Sequence, residues 1–430
     1  MNLSLLTCIF LKMWYNIVKG GLVMDNIFMR EEYLNKIRGF YHSDIIKVVT
    51  GIRRCGKSFF LLSVIKDLKA NGISENDIIS INLDKRGFKS IKTADKLEEV
   101  IDGYITDDEK KYIFIDEIQN VRGFEEVINA YREDGHSIFI TGSNSYLLSG
   151  ELMTKLTGRY VEIEMFTLTF YEYLEMKKFM GKDISQNAVE EFTTYIRDGG
   201  FPKSLEFDNI EDRNLYVQSV ITQIFEKDIS KNKKIRNRVA FEKVQSFVVN
   251  NFGSTISVSN IAEYLSSENI AVKEDTIYRY IEMLENAKII YKCPRFDLKS
   301  KQSMKTEQKY YLADLSIYYS MNVDGRINYG PVLENILFCY LKSKGYKLSV
   351  GKIGNLECDF IVRQNVDDYF YIQVAMTIAE QSTEEREYRP FTQIRDNFPK
   401  YLFTTDTLLQ KRDGILHLNM IDFIKENKML

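Results

Sequence analysis

Residues 51–58 read Gly51-Ile52-Arg53-Arg54-Cys55-Gly56-Lys57-Ser58, a G-x-x-x-x-G-K-S octapeptide that few backbones can accommodate. It calls for a strand before it and a helix after it. Ile45-Ile46-Lys47-Val48-Val49-Thr50 is a short β-branched run that predicts a buried strand. Phe59-Phe60-Leu61-Leu62-Ser63-Val64-Ile65 predicts the opening of a helix. Glycines let backbone N–H groups turn inward around an anion, and the helix points its positive end at the same place. In such a loop Lys57 reaches the β- and γ-phosphates and the Ser58 hydroxyl ligates Mg2+. Gly51, Ile52, Arg53, Arg54, Cys55, Gly56, Lys57, Ser58 and Phe59 are therefore the nucleotide-binding candidates. The flanking strand and helix distinguish the loop from a plain glycine turn. Two arginines inside it are unusual, and the sequence does not say whether they meet phosphate or a partner.

The rest of the loop's neighbourhood follows one rhythm. Ile78-Ile79-Ser80-Ile81-Asn82-Leu83 predicts a second strand, and residues 94–104 a helix. Lys111-Tyr112-Ile113-Phe114-Ile115-Asp116-Glu117 is an apolar run ending in two carboxylates. Residues 123–133 read as a helix, Ser137-Ile138-Phe139-Ile140-Thr141 as a strand and Tyr160-Val161-Glu162-Ile163-Glu164 as a fifth. Such alternation predicts a parallel sheet sandwiched by helices, with ligands at the carboxyl ends of its strands. Asp116 is then a Mg2+ ligand beside Ser58, and Glu117 is placed to polarise a water for in-line attack on a γ-phosphate. Asn144, or failing that Ser143, stands where a polar sensor could touch the γ-phosphate or the water. Arg159, before the last strand, is either a finger reaching a neighbouring subunit's nucleotide or an ordinary surface arginine.

Taken together, these segments resemble an AAA-type ATPase family of bacteria and archaea. The resemblance is carried by Gly51 to Ser58, Ile113 to Gln119, Thr141-Gly142-Ser143-Asn144-Ser145 and Leu156-Thr157-Gly158-Arg159. Further along it is carried by Phe170-Tyr171-Glu172-Tyr173 and Gly199-Gly200-Phe201-Pro202. It implies ATP and Mg2+ as cofactors, ATP hydrolysis as activity, a C-terminal domain of unknown function and a helical lid over residues 166–232. The Gly199-Gly200 break in that lid is either a hinge or a plain helix–helix turn. Arg213 is a candidate second sensor.

Residues 238–300 read as helices followed by strands. Val258 to Leu265 opens at a serine cap, Thr276 to Leu284 spaces apolar residues helically, and Ala287 to Cys293 resembles a wing strand. The pattern is that of a winged helix-turn-helix. The basic stretch 231–238, with Lys299, Lys301 and Lys305 near the expected wing tip, could meet a DNA backbone; protein docking is the alternative. In the tail, Glu334 on a helix, Asp359 on a strand and Gln373-Val374-Ala375 on the next strand follow the layout of PD-(D/E)xK nucleases. There two carboxylates hold Mg2+ and a lysine supports the attacking water. Gln373 replaces a carboxylate and Ala375 the lysine, so a nuclease-like fold with lost chemistry is expected; Glu380 lies beyond the strand.

The expected fold class is α/β, a P-loop parallel-sheet core with a helical lid, a winged helix and a restriction-endonuclease-like domain. The expected domains are an extension 1–23, the core 24–165, the lid 166–232, the winged helix 233–304 and the tail 305–430. With 58 basic against 61 acidic residues, no global basic field advertises nucleic acid. The five scattered cysteines, and His42, His136 and His417, form no disulfide framework or metal pattern, which fits a reducing cytoplasm. The apolar run 3–18 is too short and interrupted to span a membrane, and Met24 reads as a natural start. Expected partners are ATP, a protein, other copies of the chain and, through the winged helix, DNA.

Overall fold

The computed structural model describes residues 27–142, 156, 158–230, 235–300, 302–304, 307–322, 328–365 and 368–430. The extension 1–23 and Met24 lie outside these residues. The described residues form two compact units, one drawn from 27–50, 56–142, 156 and 158–163, the other from 51–55 and the described residues from 164 onward.

In the first unit, α1 (Glu31–Arg38) leads into β1 (Ile46–Gly51) and α2 (Lys57–Ala70). There follow β2 (Ile78–Asn82), α3 (Ala94–Asp102), β3 (Tyr112–Asp116), α4 (Phe124–Glu133), β4 (Ser137–Thr141) and β5 (Tyr160–Met165). All five strands appear where the apolar runs predict them. Their order is β2-β3-β4-β1-β5, with β4 inserted between β1 and β3, and the pairings β2–β3, β3–β4 and β4–β1 are parallel. Every residue of β1, β3 and β4 is buried, because helices cover both faces. Phe114 and Phe139 stack at 4.4 Å across β3 and β4. Phe60, Val64 and Leu68 of α2 are at most 2% exposed, each burial stabilising the unit by about 2 kcal/mol.

The second unit opens with α5 (Phe170–Phe179), started by a capping box in which Thr169 and Glu172 satisfy each other's backbone N–H groups. Then come α6 (Ala188–Asp198), α7 (Ile210–Ile224) and a single π turn, Phe225–Ile229. Next are α8 (Arg238–Asn250), β6 (Thr255–Ile256), α9 (Val258–Ser267), α10 (Glu274–Asn286), β7 (Ile290–Cys293), β8 (Arg295–Asp297), β9 (Gln302–Ser303) and β10 (Gln308–Leu312). The chain continues through α11 (Ser316–Met321), α12 (Tyr329–Ser343), β11 (Lys347–Ile353), β12 (Leu356–Arg363), β13 (Tyr369–Val374) and α13 (Gln381–Gln393). It ends with β14 (Lys400–Thr404), β15 (Lys411–Arg412), β16 (Ile415–Asn419) and α14 (Met420–Lys425).

Two sheets divide these strands in a way the sequence does not suggest. β10 joins β6 and β7 in a three-stranded antiparallel sheet beside α8–α10, although it lies beyond the expected boundary at 304. The hairpin β8–β9, expected inside the winged helix, instead extends an eight-stranded mixed sheet by pairing β8 parallel to β11. The 304/305 boundary is thus crossed from both sides. Lys299 sits at that hairpin's turn, 3.2 Å from the position a Gly354 Cβ would take, rather than at the tip of a wing on β7. Lys301, Lys305 and residues 231–234 lie outside the described residues.

Gly199 and Gly200 are seated, not free. The Gly200 N–H donates to Asp314 at 2.7 Å, and its carbonyl accepts from Leu168 N at 2.7 Å. A Cβ on Gly200 would meet the Leu168 carbonyl oxygen at 2.3 Å, and one on Gly199 the Asp314 Oδ1 at 2.0 Å. Both glycines are packed in this conformation against residues 168 and 314.

Candidate nucleotide site

The strand-to-helix turn has the backbone that its glycines permit. Gly51 has φ +135° and Gly56 φ +109°, values that a side chain would resist. A Cβ on Gly51 would come within 2.2 Å of the Met165 carbonyl oxygen. Ile52 and Cys55 are fully buried and anchor the turn, closed by Cys55 N–H donating to Ile52 O at 3.2 Å. Gly56 ends it in left-handed geometry, and α2 starts at Lys57. Lys57 is 8% exposed, while Ser58 and Phe59 face solvent.

The two loop arginines separate. Arg53 forms a bidentate pair with Asp228 of the π turn, Nε to Oδ2 at 2.9 Å and Nη2 to Oδ1 at 2.8 Å. Both side chains are largely withdrawn from water, at 13% and 8% exposure. Arg54 has φ +70°, is exposed and donates to Gln223 at 3.2 Å. Arg53 is therefore paired within its own chain, with Asp228.

At the carboxyl edge of the sheet a second group assembles. Asp116 is 6% exposed. Its Oδ2 accepts from Asn82 Nδ2 at 2.6 Å, and its Oδ1 accepts from the Thr141 hydroxyl. The parallel register places Asn82 opposite Asp116. Thr141 ends β4, the strand between β3 and β1, and its oxygen also accepts the Glu117 N–H at 3.1 Å. With β4 intervening, the axes of β1 and β3 lie about 10 Å apart. Glu117 has φ +62°, an uncommon conformation for a non-glycine residue and one associated with functional sites. Its carboxylate accepts from Gln119 Nε2 at 2.5 Å.

Sequence reading puts the polar contact at Asn144 or Ser143, both outside the described residues. Thr141 and Asn82 were missed as site residues. Each is the last polar residue of an apolar strand, a signal legible only once the strand order is known. Arg159 is exposed, and its carbonyl accepts from Ile46 N at 2.9 Å. That places it level with the start of β1, at the end of the sheet opposite the glycine turn, and outside the Asp116 cluster. Arg213 is not free to act as a sensor: its guanidinium holds Asp198 and donates to Phe207 O at 2.9 Å.

The residues present fit a magnesium–nucleotide group. Asp116 is a buried hard-oxygen donor oriented by two neutral partners, the donor chemistry that Mg2+ selects. The glycine turn leaves backbone N–H groups and Lys57 at a helix start.

Residues 43–174 match the AAA domain, and residues 189–326 match a domain of unknown function (DUF8612). An uncharacterised protein of Haemophilus influenzae is 34% identical over 92% of this chain and 98% of its own length. Uncharacterised protein MJ1544 of Methanocaldococcus jannaschii is 30% identical over 80% of this chain and 78% of its own. Among solved structures, the Walker-type ATPase PABY2304 of Pyrococcus abyssi is similar at 16% identity and a TM-score of 0.49, covering 69% of this chain and 96% of that one. The chain belongs to the family of these bacterial and archaeal relatives, and its residues 43–174 are an AAA-type P-loop ATPase domain.

Proposed function

We propose that the protein binds Mg–ATP and hydrolyses it, with Glu117 as general base. The observation that carries the reading is the cluster of Asp116, Asn82, Thr141 and Glu117 at the sheet edge where β1 ends and α2 begins with Lys57 and Ser58. Lys57 and the turn's N–H groups would bind the phosphates, and Ser58 and Asp116 would hold the metal. Bound magnesium neutralises charge on the transferred phosphoryl group. Thr141 orients Asp116 and the Glu117 backbone together, so the acid that binds metal and the base that takes a proton share one support. Asn144 remains the proposed sensor. Arg159, remote from its own chain's cluster, is proposed to serve a neighbouring copy, which makes the working form an oligomer.

Turnover of ATP by Lys57→Ala and Glu117→Gln variants tests this. Loss in both, with ATP binding kept in Glu117→Gln, is expected; wild-type turnover in both refutes it.

A second reading has its own support. The Gln119 hydrogen bond occupies an oxygen of Glu117 and withholds the base, as suits a slow nucleotide-dependent switch. Turnover that stays slow with every added DNA or protein favours the switch, and strong stimulation favours a motor.

For α8–α10 with the β6-β10-β7 sheet, the winged-helix reading is supported by the helix trio and the antiparallel strands. The outer face of α10 exposes Glu274, Asp275, Tyr278, Arg279 and Glu282, three acids to one base. Such a face repels phosphate. We therefore favour a protein partner over DNA for this module. Among the described residues, no helix is long and apolar enough to cross a membrane.

A further inference from the structure

The tail holds an acidic site whose missing cation comes from an unexpected strand. Glu334 on α12 and Asp359 on β12 influence each other electrostatically, the Glu334 carboxylate pushing Asp359 up, but Ala375 is not where a lysine could serve. It is 5% exposed in an apolar cluster with Tyr388 and Phe391. Gln373 has spent both ends of its amide: Oε1 accepts from Asp359 N at 2.8 Å, and Nε2 donates to Glu387 at 2.9 Å. Lys309, from β10 of the small sheet, fills the gap instead. Its ammonium lies 3.1 Å from Glu334 and 2.7 Å from Glu357, and the lysine is 5% exposed. Tyr311 donates to Glu334 at 2.8 Å, and Arg295 bridges Glu357 at 3.1 Å and Glu307 at 2.9 Å.

Carboxylates this close in the interior need a positive charge among them. Burial, and then the Glu334 carboxylate, push Asp359 well above the usual carboxylate range, and burial raises Glu334 as well. Burial alone would lower Lys309; Glu334, Asp359 and Glu357 together hold it above the ordinary lysine value, so it stays charged. Among the described residues no three His, Cys, Asp or Glu side chains are arranged around a metal position. The carboxylates are arranged around an ammonium.

We propose that Lys309 is the built-in cation of this site: its ammonium takes the place a divalent ion would take among Glu334, Glu357 and Asp359. The tail then binds no metal while Lys309 is present and acquires a divalent-cation site when it is removed. This rests on the contacts above and not on the ATPase reading.

The test uses Mn2+ as probe on the full chain without nucleotide, by calorimetric titration and thermal unfolding. Any Mn2+ bound near the glycine turn is common to all variants and cancels in the comparison. Lys309→Ala is expected to bind Mn2+ at least about tenfold more tightly than wild type, since the metal replaces a missing buried charge. Adding Asp359→Asn should abolish the gain. If Lys309→Ala does not fold alone, recovery of its fold by Mn2+, absent in the double variant, is the same result. Lys309→Met with Glu334→Gln removes one charge of each sign and should fold without metal and gain no Mn2+ affinity. Two outcomes overturn the proposal: Lys309→Ala showing neither gain nor recovery, or wild type binding Mn2+ in an Asp359-dependent way.

Discussion

Lys47 is the second residue of β1 and has no exposed surface, and its amine donates to Ser43 O at 3.0 Å and Ser137 Oγ at 2.8 Å. It sits 4.8 Å from the centre of the Phe139 ring. Burial, with a smaller push from Lys110, lowers its pKa from 10.5 to about 7. A lowered amine pKa means that from about pH 7 to pH 10 the unfolded chain binds a proton that the folded chain has given up. Raising pH removes that advantage of the unfolded state, so stability must rise. At pH 7 the group costs the fold about 4 kcal/mol, and at pH 9 about 2 kcal/mol. The wild type should therefore gain about 2 kcal/mol between pH 7 and pH 9 relative to Lys47→Met, which cannot titrate. Urea unfolding of both proteins at the two pH values, followed through the same transition, measures the difference directly. Other titrating groups cancel between them. The Met variant should be the more stable at pH 7, because no charge is then buried. Parallel pH profiles would show that Lys47 keeps its ordinary pKa in the fold and would refute the reasoning.

Other outcomes follow from single contacts. Gly200→Ala drives a Cβ into the Leu168 carbonyl at 2.3 Å, backbone that cannot step aside, and should cost at least about 2 kcal/mol in thermal unfolding. Thr141→Val removes the hydroxyl shared by Asp116 and Glu117 N–H; kcat for ATP should fall more than about tenfold, with a smaller change in KM. Gln119→Ala frees the Glu117 carboxylate, and single-turnover hydrolysis should speed up if that bond withholds the base; an unchanged rate removes the support for a switch. Asp228→Asn leaves Arg53 without its charge partner and should destabilise the protein by roughly 3 kcal/mol, with the reversed pair Arg53→Asp/Asp228→Arg recovering part of the loss.

Local pattern was enough for the elements of the nucleotide domain. The β-branched runs at 46–51, 112–116 and 137–141 form buried strands, and the Gly-x4-Gly-Lys-Ser spacing calls for a strand-to-helix turn, so β1, α2 and the places of Lys57 at the helix start and Asp116 at the strand end were legible in the sequence. These features depend on contacts a few residues apart, which sequence carries directly. Partner choice does not. That β4 lies between β1 and β3, so that Thr141 reaches Asp116, depends on which strands pair. That β8–β9 and β10 exchange sheets is equally non-local, as alternation marks a strand without naming its neighbour. The tail makes the same point in chemistry. Reading along β13 leads to Ala375, whereas the cation arrives from Lys309, 66 positions earlier by the numbering, because charge balance in an interior is set by proximity in space and not by spacing along the chain.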